Sequence, residues 1–263
     1  FYPGVSYRHL LVWKNGRDKM ICVPPHDISS QSIENHLPQG DGAAELISLT
    51  TSAQLVLNNH PVNHDRIERG EVPANSIWLW GHGRNANMET YRDLYDISGA
   101  VISAVDLIKG IGIYAGLDVI DVPGATGYLD TNYRGKAEAA LEALRSHDFV
   151  YLHVEAPDEA AHGGNLQDKI EAIERFDADV VGTVLDGLGQ FEDYRVLLLP
   201  DQPTPVSKMT HTSDPVPFVL FGSGGEFPAN GADDYCEASA LASGCKFEHG
   251  HRLLEAMVRG EIP

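Results

Sequence analysis

The stretch FVYLHVEAPDEAAH, residues 149–162, opens as a short apolar run and continues, past Pro157, as a polar run rich in alanine. Phe149 to Val154 has the length and composition of a strand covered on both faces. Pro157 can end that strand, so a helix is expected to start close to Asp158. A helix that starts close to Asp158 stacks Asp158 and His162 on one face, where a carboxylate oxygen and an imidazole nitrogen can meet a divalent cation.

A second run, Tyr194 to Pro200, has the same buried-strand character, with Asp201 at its expected carboxyl end and His211 ten residues further on. Sites in open α/β sheets collect at those strand ends. Asp158, His162 and His211 therefore form a candidate metal set, one carboxylate and two imidazoles with positions left for substrate or water, and Asp201 could serve a second ion beside it. A single Asp-x-x-x-His on a helix is more often a surface pair or a cap than a ligand set. The coincidence of Asp201 and His211 at another strand end is what raises the expectation above that ordinary reading.

Around these segments, apolar strands alternate with amphipathic helices, the pattern of a mostly parallel sheet sandwiched by helices. Strands are predicted over 76–80, 99–103, 118–122, 149–154, 195–199 and 216–221, and helices over 104–115, 132–145, 160–185 and 249–258. The 160–185 helix carries Ile170, Ile173, Val180, Val181 and Val184 near one stripe. Upstream, Tyr7 to Val12 and Lys19 to Val23 flank the turn dipeptide Asn15-Gly16 and read as a hairpin. Residues 42–59 read as a helix that Asp41 can cap. The proline-marked stretch 60–73 reads as a loop and a boundary, giving two domains, 1–72 and 73–263.

With 263 residues the chain can bury a sizeable core, and its formal charge of −19 with no basic cluster disfavours nucleic acid as a partner. No apolar run approaches a membrane span and no leader is evident, so a cytoplasmic protein is expected; the number of subunits is left open. Cys22, Cys236 and Cys245 suggest neither a disulfide framework nor a thiolate site. Thr204, Ser207, Thr210 and Thr212 surround His211 without a GxSxG elbow and read as capping hydroxyls rather than nucleophiles. FGSGGE (221–226) lacks the GK[ST] of a phosphate loop and reads as a turn. Trp78 and Trp80 read as core packing, and His82 as either a loop ligand or nothing. For an anionic substrate the candidates are Arg8, in the first predicted strand, and Lys109, whose stem lies among Ile108, Ile111 and Ile113.

GAVISAVDLIKGIG (99–112), DVPGATGYLDTNYRGKAEAALEAL (121–144), DFVYLHVEAPDEAAH (148–162) and LPDQPTP with THTSDPVPF (199–218) resemble the archaeal-type, cofactor-independent phosphoglycerate mutases, a group with bacterial relatives proposed as homoserine kinases. The resemblance implies an α/β core similar to alkaline phosphatase with an inserted α+β domain, of which residues 1–72 would be a remnant. It implies two divalent ions, manganese, magnesium or zinc, a small phosphorylated substrate, and interconversion of 2- and 3-phosphoglycerate through a phosphoserine. By position, Asp158, His162 and His211 correspond to ligands of one ion, and Asp201 with the next residue to ligands of the other. Lys109 corresponds to a lysine near the transferring phosphoryl group, and Arg8 to a substrate anchor in the inserted domain. Two departures stand out. The Asp-Gly metal motif and nucleophilic serine of the family have no counterpart in this chain, which is expected to be the carboxyl-terminal part of a longer enzyme and inactive by itself. Gln202 replaces the histidine of the Asp-His-Pro-Thr-Pro pattern, which is expected to weaken the second ion's site. Two alternatives carry over from the sequence: a homoserine kinase-like phosphotransferase, and a catalytically silent fragment.

Overall fold

The computed structural model describes residues 1–4, 8–28, 31–232 and 234–262. The chain forms two compact units, Phe1–Ala86 and Asn87–Pro263.

The first unit pairs β1 (Tyr2–Pro3) with β2 (His9–Leu10), and β3 (Lys19–Ile21) with β4 (Gln39–Asp41), both antiparallel. The predicted hairpin is therefore replaced by two separate ladders, although Asn15 does adopt the left-handed conformation expected of its turn; Tyr7 lies outside the described residues. Helix α1 (Ala43–Asn58) matches the predicted one, but its N-cap is Gly42 and not Asp41, whose carboxylate is instead paired with Arg17. Residues 60–73 are not all loop: His60 caps a second helix, α2 (Pro61–Glu68), with Pro61 in its first turn. The predicted strand 76–80 is irregular. Side chains anchor that segment in place of a ladder: the buried Asn63 exchanges hydrogen bonds with the Ala74 backbone, and Trp78 Nε1 donates to Val23 O at 2.8 Å. Trp80 is exposed.

The second unit is built on a parallel sheet of order β6-β5-β7, with β5 Gly99–Ile102, β6 Asp118–Val119 and β7 Phe149–Leu152. All four residues of β5 are buried, as a central strand with both faces covered demands. On one face Val101 and Phe149 pack with Ile108 of α4 (Asp106–Tyr114) and with Leu254 and Met257 of α10 (His251–Arg259). On the other, Leu152 packs with Tyr133 and Ala137 of α5 (Tyr133–Ala143) and with Ala172 and Val180. Helix α4 approaches β5 so closely that a Cβ at Gly112 would lie 2.5 Å from Val101 Cγ1.

The predicted 160–185 helix is two pieces, the second carrying a π-helical turn. Helix α6 (Ala156–His162) ends at Gly163-Gly164, where Gly164 takes φ +70°; α7 (Leu166–Arg175) restarts with Asn165 as cap, and a π-helical turn, Phe176–Val181, leads into α8 (Gly182–Leu188). The expected stripe is split accordingly: Val180 is buried, whereas Ile170 and Ile173 are exposed. A last pair, β8 (Arg195–Leu198) and β9 (Val219–Gly222), is antiparallel, since no crossover helix joins them. The short helices α3 (Tyr91–Tyr95) and α9 (Glu237–Ala242) belong to the same unit. Among the described residues no helix is long and apolar enough to cross a membrane.

Candidate metal centre

The turn from β7 into α6 positions the first two side chains. Glu155 is the N-cap of α6, and its carbonyl accepts the N–H groups of Asp158 (2.9 Å) and Glu159 (3.2 Å). With the helix begun at Ala156, Asp158 and His162 share a face, and Asp158 Oδ2 lies 3.3 Å from His162 Nε2. His162 Nδ1 is 3.0 Å from the Met209 carbonyl, which can only accept. That bond puts the ring proton on Nδ1 and leaves the Nε2 lone pair toward Asp158. Met209 itself sits at φ +53°, a conformation costly for a side chain of its size, held where its carbonyl meets the histidine.

The loop after β8 brings the third member. His211 Nδ1 lies 3.7 Å from Asp158 Oδ1, and the two imidazoles meet edge to face with centroids 4.7 Å apart. Thr204 stands between them: its hydroxyl donates to Asp158 Oδ1 at 2.5 Å and so accepts from His211 Nδ1 at 3.1 Å. Gln202 Nε2 lies 3.1 Å from His211 Nε2, the one nitrogen of that ring left with a lone pair, so a cation bound there would displace this amide. Lys169 of α7 donates to the Thr204 carbonyl at 2.6 Å, fixing the loop from beneath.

Ligand atoms of Asp158, His162 and His211 all lie within 4.8 Å of one another, and among the described residues no other group of three or more such side chains is found that close. One carboxylate oxygen and two imidazole nitrogens, each ring oriented by an outer partner, is a donor set that fits a divalent cation of the zinc or manganese kind. Asp201 is not in this trio. It is exposed, and its charge acts on Tyr151 and His153. Lys109 lies in the first turns of α4 and pairs with Asp121 at 2.6 Å. Arg8 is an exposed residue of the first unit.

Sequence reasoning gave no role to several residues packed near this trio. Lys136 of α5 is wholly buried and donates to the His153 carbonyl at 3.3 Å. His153 Nε2 lies 3.2 Å from Glu155 Oε2, and its Nδ1 lies 3.1 Å from Ser103 Oγ. Burial lowers the His153 pKa, and burial also holds Lys136 down to about 8 against the opposing charge of Glu155.

The family model of the metalloenzyme superfamily matches residues 43–243, and that of the 2,3-bisphosphoglycerate-independent phosphoglycerate mutases matches residues 1–63. A probable 2,3-bisphosphoglycerate-independent phosphoglycerate mutase of Geobacter sulfurreducens is 61% identical over 259 residues, covering 98% of this chain and 64% of the relative. The enzyme of that name from Methanothrix thermoacetophila is 52% identical, covering 98% of this chain and 66% of its own length. This chain thus spans slightly less than two thirds of either relative. Among solved structures, the PH0037 protein from Pyrococcus horikoshii aligns with a TM-score of 0.73 at 30% identity, over 84% of this chain and 58% of that one. The cofactor-independent phosphoglycerate mutase from Thermoplasma acidophilum shares the fold, with a TM-score of 0.55 at 22% identity, over 94% of this chain and 60% of that one.

Proposed function

As this chain belongs to the metalloenzyme superfamily, we propose that Asp158, His162 and His211 hold a divalent cation, manganese in the cell, in an enzyme that interconverts 2- and 3-phosphoglycerate. The approach of three ligand atoms to within 4.8 Å carries this reading. The activity is assigned to the whole protein, with residues 1–72 as part of the inserted substrate domain and 73–263 as the metal-binding domain. A cation held there would neutralise the phosphoryl oxygens and stabilise charge on the attacking and leaving oxygens of the transfer.

The chain's own residues do the rest by position. The Met209 carbonyl and the Thr204 hydroxyl fix the two imidazoles before any ion arrives, so the site need not be ordered on binding. In a chain of charge −19, a phosphorylated substrate needs local positive charge. Lys109, restrained by Asp121, and Arg8 are assigned to that task. Asp201 is assigned to a second ion, with Gln202 a poorer ligand than the histidine of the family pattern. The cytoplasm is the compartment this reading implies.

The test is an assay of the whole protein with 3-phosphoglycerate, coupled to consumption of 2-phosphoglycerate. Turnover should require Mn²⁺, vanish with chelator, return on adding the ion back, and be lost in Asp158→Asn. Turnover of homoserine with ATP in place of phosphoglycerate would overturn the substrate assignment, and full activity in Asp158→Asn would overturn the site.

A further inference from the structure

The inward stripe of α5 comprises Tyr133, Lys136, Ala137, Ala140 and Ala143, all buried. A lysine is the costly member: an ammonium withdrawn from water loses several kcal/mol of hydration unless a partner compensates it. Its partners lie at the carboxyl end of β7. Lys136 Nζ donates to the His153 carbonyl at 3.3 Å, and the Glu155 carboxylate is the charge that acts on it.

Each of those partners is connected onward. The His153 N–H donates to Ile102 O at 2.8 Å, extending the β5–β7 ladder by one residue. Ser103 Oγ accepts from the Val105 N–H at 3.0 Å, so its own hydrogen is free for His153 Nδ1. The other imidazole nitrogen then carries its proton toward Glu155 Oε2. Glu155 in turn accepts the Asp158 N–H through its carbonyl. The result is an unbroken chain from α5, through His153 and Glu155, to the backbone of Asp158.

We propose that Lys136 is a positioning residue for the cation site: its ammonium, set against the His153 carbonyl and the Glu155 carboxylate, fixes the turn on which Asp158 stands. The inference rests on the cation assignment made above. The charges around Lys136 and His153 come from two elements: Glu155 and Asp158 from the β7–α6 turn, and Asp201 from the loop after β8. Lys136 supplies the single positive charge assigned among them. A purely packing role would be served by methionine, which keeps the stem and removes the charge.

The experiment is a Mn²⁺ titration by calorimetry at pH 7, with thermal unfolding of the metal-free protein alongside. It compares wild type, Lys136→Met, Glu155→Gln and the double variant. Lys136→Met and Glu155→Gln should each weaken Mn²⁺ binding about tenfold, the scale of outer-partner effects at metal sites. The double variant should be no weaker than the poorer single one, because the two changes remove the same charge interaction. A folded Lys136→Met protein that melts lower but binds Mn²⁺ like wild type would overturn the inference and leave the cation site standing. If Lys136→Met does not fold, Glu155→Gln decides: undiminished Mn²⁺ affinity there overturns it. A wild type that binds no Mn²⁺ overturns the cation assignment and this inference with it.

Discussion

Thr204 Oγ1 donates to Asp158 Oδ1 at 2.5 Å from a side chain that is almost wholly buried. The same hydroxyl accepts from His211 Nδ1, so one atom spaces the carboxylate from the imidazole. Thr204→Val keeps the shape and removes both bonds. It leaves Asp158 short of a donor and lets His211 turn, and we expect Mn²⁺ affinity to fall about tenfold. Calorimetric titration of the variant checks this; an unchanged affinity would remove Thr204 from the site.

Gly112 makes a second prediction, on stability. Alanine in mid-helix is favoured over glycine by about 1 kcal/mol. Here the added Cβ would meet Val101 Cγ1 at 2.5 Å and Val101 Cβ at 3.0 Å, inside a core already closed by Ile108 and Leu117. Overpacking of that kind costs roughly 1–3 kcal/mol, so sterics outweigh propensity. Gly112→Ala should lower the urea midpoint, and adding Val101→Ala should recover part of the loss; a stabilised Gly112→Ala would show that the helix can retreat at no cost.

The approach of His162 to Asp158 was legible because its geometry is local. A four-residue spacing on a helix fixes Asp158 against His162 whatever the rest of the chain does, and strand ends gather loops. Breaks were harder to read. Gly163-Gly164 lies inside an apolar periodicity that runs on past it, so one long helix was expected where α6 ends and α7 restarts after Gly164 at φ +70°. The segment 76–80 has a strand's composition, but bonds from Asn63 and Trp78 satisfy its surroundings, and such side-chain anchors leave no periodic trace. Thr204, between two prolines, gave no sign beyond a capping hydroxyl. Lys136 did leave one: it stands three residues after Tyr133 on the stripe that Ala137 and Ala140 continue, the position of an inward residue.

Gln202 offers a third test. Its amide, not an imidazole, faces His211 Nε2. An imidazole is the better ligand for manganese or zinc, so Gln202→His in the whole protein should add a second, weaker Mn²⁺ binding event and raise turnover. Metal content after gel filtration in Mn²⁺ distinguishes the outcomes; the same content in both proteins would refute the idea that Gln202 impairs a second site.

The fourth prediction is a pH dependence of folding. Lys136 titrates at about 8 in the folded protein against an ordinary value of 10.5, with burial as the main cause and Glu155 opposing it. Below pH 8 both the folded and unfolded forms carry the proton, and the cost of burying the charge is paid in full. Between pH 8 and 10.5 the unfolded chain holds a proton that the folded one has released, so this group makes stability rise with pH. Over the whole window the gain is on the order of 3 kcal/mol. The urea-derived stability of wild type minus that of Lys136→Met should therefore be flat from pH 6.5 to about 7.5 and climb toward pH 10. A difference that stays flat throughout would mean that water or a further partner keeps the ammonium charged inside the fold, and the lowered pKa would have to be abandoned.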